Sequence, residues 1–124
     1  MTVSTTNATI AAIDHFNDVF NKHDVDAIMD AMTDDCVFEN TYPPPDGERY
    51  EGAAAVRGFW ERLFRASPQA HFATEEMFAC DDRCVVRWLY TFADREGNPG
   101  SLRGVDIFTV RDGKVSEKLS YVKG

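Results

Sequence analysis

The sequence lacks the features that mark membrane-spanning, secreted and disulfide-rich proteins. No apolar stretch in its 124 residues approaches the ~20 residues of a membrane span. The start has neither the basic region nor the apolar core of a signal peptide. Cys80 and Cys84 flank a turn across which a bridge could form, but we expect free thiols in a chain without an export signal. We therefore expect a cytoplasmic protein in a reducing compartment.

Basic residues are also scarce. Thirteen Lys and Arg stand against 21 Asp and Glu, which gives a net charge of −8. Nucleic acids and anionic membranes are bound through basic patches, so this balance argues against both as partners. The chain carries no nucleophile elbow, no phosphate-binding glycine loop and no dinucleotide fingerprint. Its histidines show no metal-ligand spacing, so we expect neither a cofactor nor a metal site.

What the sequence does contain is a helical first half and a strand-rich second half. Apolar periodicity predicts helices over about 6–21, 25–32 and 52–66, and a strand over 36–40 precedes a proline-rich loop. Alternation predicts four long strands over about 70–80, 84–93, 101–110 and 114–122. This order predicts one α+β domain over residues 1–124. Both strand faces are largely apolar, so we expect a homodimer that covers the outer sheet face.

Asp106 is the most unusual residue of these strands. Alternation places it on the same face as Leu102 and Phe108. An ionised carboxylate in such surroundings must find donors or else hold its proton above the usual pH range. It is therefore either a structural acid, paired with Arg87, Arg103 or Lys118 or hydrogen-bonded to loop amides, or the acid, base or ligand anchor of a pocket.

Several strings resemble the nuclear transport factor two-like superfamily, and most closely its SnoaL-like polyketide cyclases and ketosteroid isomerases. The matching strings are residues 21–28, 33–40, 50–52, 104–108 and 112–118. The resemblance implies a cone-shaped, curved antiparallel or mixed sheet wrapped around three N-terminal helices, a cystatin-like α+β barrel. It also implies a pocket between the concave sheet face and the helices, and usually a dimer.

The isomerase pattern carries over only in part. Those enzymes use a tyrosine on the first helix, a protonated aspartic acid on the penultimate strand, and an aspartate base at the end of the first strand. By the resemblance, Asp106 matches the protonated acid, Phe16 stands at the tyrosine position, and Asn40 stands at the position of the base. We therefore do not expect steroid isomerisation.

The resulting hypothesis is a cofactor-free acid–base enzyme of the isomerase, cyclase or dehydratase type. Its substrate would be a small apolar molecule that bears a carbonyl or hydroxyl group. Asp106 would be the proton-transfer group or a neutral hydrogen-bond donor, with Asn40 and Tyr90 orienting the substrate. The predicted ligand wall consists of Phe16, Phe20, Phe38, Phe59, Trp60, Trp88, Leu102 and Phe108. The alternative is a non-catalytic ligand-binding or interaction module of the same fold.

Overall fold

The computed structural model describes residues 5–124, so the first four residues of the predicted domain lie outside the described part. The helices are α1 (Thr5–Asn21), α2 (Val25–Asp30) and α3 (Ala53–Ala66). The strands are β1 (Met32–Glu39), β2 (Arg49–Glu51), β3 (His71–Cys80), β4 (Arg83–Ala93), β5 (Pro99–Arg111) and β6 (Lys114–Val122).

The six strands form one mixed sheet in the order β2-β1-β6-β5-β4-β3. β1 and β6 run parallel, and every other neighbouring pair is antiparallel. Because β2 and β3 are free edges, the sheet curves around the helices without closing into a barrel. The predicted α+β cone is confirmed, in this open form.

The helices pack on the inner face of the sheet through their apolar stripes. α1 buries Ile13, Phe16 and Phe20, a spacing that keeps all three on one side of a helix. α3 buries Val56 and Trp60, one turn apart. Each such side chain contributes roughly 1.5–3 kcal/mol when it is removed from water. No helix among residues 5–124 is long and apolar enough to cross a membrane.

Some element boundaries differ from the sequence prediction. The second helix ends at Asp30, and β1 begins at Met32 rather than at residue 36. The register of β1 against β6 shifts between Met32 and Val37. Within this shift, Asp35 pairs with Arg111 at 2.5 Å, and the hydrogen bond from Arg111 lowers the pKa of Asp35. The prediction contains no counterpart of β2, because three residues are too few to show alternation.

The pairing of β5 with β6 departs from strict alternation at one point. Val110 faces Val115, but the next pair is Thr109 with Glu117, so Ser116 is an extra residue in β6. The Ser116 hydroxyl donates to the carbonyl oxygen of Thr109 at 3.2 Å. Such a bulge exchanges the two faces of the strand beyond it.

The bulge decides which side chains of β6 enter the interior. Beyond it, Lys118 and Ser120 turn toward the helices, and Lys118 is only 5% exposed. Leu119 and Tyr121 turn to the outer face of the sheet instead, where Tyr121 is 53% exposed. A lysine therefore occupies an interior position, and two large apolar side chains occupy outer ones.

The cysteines are all free. Across the β3–β4 hairpin, Cys80 pairs in register with Arg83 and Ala79 pairs with Cys84. Cys80 and Cys84 consequently lie on opposite faces of the sheet, so they do not face each other for a bridge. Cys36 and Cys84 are buried whereas Cys80 is exposed.

We expect only one of the three thiols to react rapidly with a thiol reagent in the native protein. Burial raises the pKa of the Cys36 and Cys84 thiols to about 11, so thiolate is scarce at both near pH 8 and reagent access is blocked. Ellman's reagent at pH 8 should therefore titrate Cys80 alone in the folded chain and all three thiols in guanidinium chloride. The Cys80→Ser variant is the control, and rapid labelling of this variant while folded would contradict the assignment.

Candidate functional site

A buried polar cluster lies on the inner face of the sheet, formed by Lys118 and Ser120 on β6 and Asp106 on β5. The Lys118 ammonium nitrogen lies 3.2 Å from Oδ2 of Asp106 and donates to the Ser120 hydroxyl at 3.1 Å. Ser120 in turn donates to Oδ1 of Asp106 at 2.6 Å. Asp106 is 4% exposed and Lys118 5%. Both carboxylate oxygens thus face a donor, as an ionised acid in this setting requires.

The strand register produces this cluster directly. Asp106 on β5 stands opposite Ser120 on β6, and Phe108 stands opposite Lys118. Side chains two residues apart on one strand share a face, so Lys118 and Ser120 both border the carboxylate. On the other side of β6, Phe38 of β1 is the in-register neighbour of Lys118.

An aromatic shell surrounds the Lys118 ammonium. The nitrogen lies 4.9 Å from the ring centroid of Phe38 and 5.6 Å from that of Phe20. Trp60 and Phe72 lie at 5.7 Å and 6.0 Å. An ammonium has three N–H donors, and Asp106 and Ser120 account for two of them. The third N–H remains for contact with these aromatic rings. A desolvated cation gains roughly 2 kcal/mol from the face of such a ring.

Two adjoining cavities meet at Lys118. The smaller, about 10 Å³, borders Asp106, Phe16 and Asn17 and has room for roughly one water molecule. The larger, about 90 Å³, borders Lys118 and Ser120 at one end and is otherwise mainly apolar. Lys118 lines both cavities, whereas Asp106 lines only the smaller one.

The larger cavity also holds two buried donors without acceptors. The indole nitrogens of Trp60 and Trp88 have no hydrogen-bond partner among the described residues, and both side chains line this cavity. Trp88 packs so closely over Gly104 that a Cβ there would lie 2.5 Å from the indole ring. A buried unpaired donor costs roughly 1–3 kcal/mol, which a ligand oxygen within reach would offset.

The predicted orienting residues lie at the larger cavity, away from Asp106. Asn40 and Tyr90 both line it. The Asn40 side-chain oxygen accepts from the Thr41 amide at 2.8 Å, so this oxygen is already engaged by the backbone just after β1. Tyr90 stacks on Phe72 with ring centroids 4.4 Å apart, and burial raises the pKa of its hydroxyl.

The predicted wall residues divide between the two cavities. Phe16 lines the smaller cavity, Phe20 and Trp88 line both, and Phe108 is the one predicted wall residue among the described residues that lines neither. The residues that line only the larger cavity are Phe38, Phe59, Trp60 and Leu102. Phe108 is fully buried in the core behind the cluster.

Sequence reasoning identified Lys118 only as one of three possible partners of Asp106, and it missed Ser120 and Phe72. Of the other two, Arg87 pairs with Glu76 and Arg103 with Glu75, all four being partly or largely exposed. The polar cluster was hidden by the bulge at Ser116, which strand alternation does not reveal. Among the described residues, no group of three or more His, Cys, Asp or Glu side chains is placed to hold a metal ion.

The comparisons with known proteins agree with this architecture. A family model of the SnoaL-like domain matches residues 13–118. The chain belongs to the SnoaL-like domain family. No curated protein matches this SnoaL-like chain, but many solved structures do. An NTF2-like protein of unknown function from Mesorhizobium loti is 37% identical, with 100% of this chain and 98% of that chain covered and a TM-score of 0.82.

Two more distant structures share the fold. An LEH-like epoxide hydrolase of M. tuberculosis is 17% identical, with 98% of this chain and 83% of that chain covered and a TM-score of 0.83. TerC, co-crystallised with polyporic acid, is 22% identical, with 94% and 92% covered and a TM-score of 0.80. The family model and the NTF2-like structure confirm the resemblance to the superfamily that the sequence strings indicate.

Breaking the buried ion pair of this SnoaL-like protein should be costly. In Lys118→Met, Asp106 keeps a buried charge without its cation, so we expect a loss of roughly 3–5 kcal/mol in unfolding free energy. Replacing both partners, Lys118→Met with Asp106→Leu, should recover most of that loss. Urea unfolding of the single and double variants measures the coupling.

The matched control is Lys22→Met, which removes the same side chain from an exposed pair with Asp18 at 2.9 Å. It should cost less than about 0.5 kcal/mol. A double variant no more stable than Lys118→Met alone would contradict the pairing.

Proposed function

We propose that this SnoaL-like protein is a cofactor-free acid–base enzyme of the isomerase, cyclase or dehydratase type. Its substrate would be a small apolar molecule with a carbonyl or hydroxyl oxygen, held in the larger cavity. The observation that carries the proposal is the polar cluster beside a cavity that is otherwise mainly apolar. Lys118 and Ser120 border that cavity, and Asp106 lies directly behind them.

The cluster supports a division of roles. The free N–H of Lys118 would donate to the substrate oxygen and stabilise negative charge that develops there. Ser120 would accept a proton from the substrate carbon while passing its own proton to Oδ1 of Asp106, 2.6 Å away. Asp106 is then the base, acting through Ser120. Asn40 and Tyr90, at the larger cavity, would orient the rest of the molecule.

The relatives support a small organic ligand but not one reaction. TerC was crystallised with polyporic acid, and an epoxide hydrolase has the same fold. Epoxide opening in this superfamily uses an Asp/Arg/Asp network, and here Arg103 is engaged with Glu75 at 3.0 Å while Asp106 faces inward. We therefore favour proton transfer next to a carbonyl over epoxide hydrolysis.

A second candidate is a binding module without chemistry. Two observations favour it: Asp106 does not line the larger cavity, and the Asn40 oxygen is already used by the Thr41 amide. Ligand binding without proton transfer would then be the whole function.

Deuterium exchange separates these functions. With 2-indanone in D₂O, the wild-type protein should accelerate exchange of the protons next to the carbonyl, measured by NMR. Ser120→Ala and Asp106→Asn should lower the enzymatic rate by roughly 10²–10⁴-fold, because each interrupts the proton path. Glu117→Gln, a polar change on the outer face of the same strand, is the control and should leave the rate unchanged. Quenching of tryptophan fluorescence by 2-indanone without accelerated exchange would establish the binding module instead.

We also propose that the outer sheet face forms a homodimer. An in-register row of apolar side chains crosses four strands there, made of Phe78, Val85, Ile107 and Leu119. Phe78 is 58% exposed, and an apolar row of this length on an open face is typical of an interface. A cytoplasmic location and the lack of nucleic-acid and membrane partners stay predictions.

Sedimentation velocity at micromolar concentration should show a dimer for the wild-type chain. Ile107→Glu places a charge in the middle of the row and should give monomers that remain folded by circular dichroism. Arg65→Glu on the exposed side of α3 changes the net charge by more and should remain dimeric. A monomeric wild-type protein would rule out the interface.

A further inference from the structure

We propose that Lys118 forms a Schiff base with an aldehyde or unhindered ketone bound in the larger cavity. The inference rests on the proposed function, whose site it shares, and it narrows the substrate class to molecules with such a carbonyl group. Lys118 differs from the other lysines of the chain, because Lys22, Lys114 and Lys123 are all exposed. It is 5% exposed and lines the cavity with its nitrogen beside four aromatic rings.

The neighbouring groups supply what imine formation needs. A lysine is a nucleophile only as the free amine, so the ammonium must first give up a proton. Asp106, 3.2 Å from the nitrogen, can take the ammonium proton and leave a neutral amine beside a neutral acid. Because Asp106 stands behind Lys118 and does not line the larger cavity, it can hold this proton without blocking the approach of the ligand.

The step balances without a further reactant. The amine lone pair attacks the carbonyl carbon, the C=O π bond breaks, and one N–H proton moves to the oxygen to give a carbinolamine. Asp106 returns its proton to the hydroxyl group, water departs, and the nitrogen lone pair forms the C=N bond. The sum is ammonium plus carbonyl giving iminium plus water, and Asp106 ends as the carboxylate that it was at the start.

Electrostatics favour this outcome over the binding of an anion. The resting cluster is a cation paired with Asp106, and the iminium is again a cation at the same place, so the same carboxylate and rings stabilise it. A ligand carboxylate would instead add a negative charge to an apolar cavity whose lysine is already paired, and burying an uncompensated charge is costly. A neutral carbonyl compound therefore suits the cavity.

The iminium would also assist the proposed proton transfer. It withdraws electrons from the carbon next to the former carbonyl more strongly than a hydrogen bond does, so the proton on that carbon is more easily removed. Ser120, which donates to Asp106, stays in place to receive it. Lys118 is then a catalytic residue that holds the substrate covalently.

Reductive trapping tests the inference. The folded full-length protein is incubated with benzaldehyde and sodium cyanoborohydride, which fixes an imine as a benzylamine, and peptide mapping by mass spectrometry locates the label. We expect Lys118 to be labelled at least about tenfold faster than Lys22, Lys114 or Lys123, because the larger cavity would hold the apolar aldehyde beside Lys118 whereas the other three lysines are exposed. Lys118→Arg keeps a cation beside Asp106 but has no reactive amine, so it should lose the cavity label and keep the slow surface label.

Three outcomes are decisive. Labelling confined to the exposed lysines, or equal at all four, would overturn the inference, and because it is read in the wild-type protein it does not depend on the folding of any variant. Quenching of tryptophan fluorescence by benzyl alcohol, with no label at Lys118 from benzaldehyde, would overturn the Schiff base and leave the proposed non-covalent acid–base function standing. Fast labelling of Lys118 in a protein that does not accelerate deuterium exchange would support the lysine site and count against the proposed function alone.

Discussion

The ion pair between Lys118 and Asp106 is buried so deeply that the elements around it must be in place for it to be tolerated. Each charged side chain is only 6% exposed, and several kcal/mol of lost hydration per ion must be offset by direct partners. β5 and β6 supply the partners through adjacent register positions, and Ser120 completes them. The enclosing rings come from α1, α3, β1 and β3, which makes the pair a point where almost every element of the fold meets.

Lys118, rather than Asp106, lines the larger cavity. The sequence suggested that Asp106 would face the pocket directly. The carboxylate is retained on the penultimate strand, as the superfamily resemblance implies, but its oxygens face an ammonium and a hydroxyl rather than an open cavity. By the resemblance, Phe16 and Asn40 stand where the isomerases have a hydroxyl donor and a base, and here the polar side chains Lys118 and Ser120 of β6 line the larger cavity. Lys118 and Ser120 thus lie between Asp106 and the larger cavity.

The same strand also shapes the opposite face of the sheet. The extra residue at Ser116 that turns Lys118 inward turns Leu119 and Tyr121 outward. Leu119 then joins Phe78, Val85 and Ile107 in one row across four strands. A single local irregularity therefore sets both the polar end of the cavity and the apolar outer surface, because in a strand the two faces cannot be changed independently.

Sequence alone was sufficient for the fold class, for the long helices and strands, and for the inward position of Asp106, because these follow from periodicities that hold over many residues. It also predicted most of the large apolar side chains that line the two cavities, since such side chains on those stripes have few places other than the interior. The end of α2, the start of β1 and the short β2 depend on pairing between distant segments and carry little local signal. Only the tertiary structure decided that Lys118 faces the cavity. Alternation of Val115, Leu119 and Tyr121 favours the opposite orientation, and the bulge that reverses it is fixed by how β6 pairs with β5, not by any residue of β6 considered by itself.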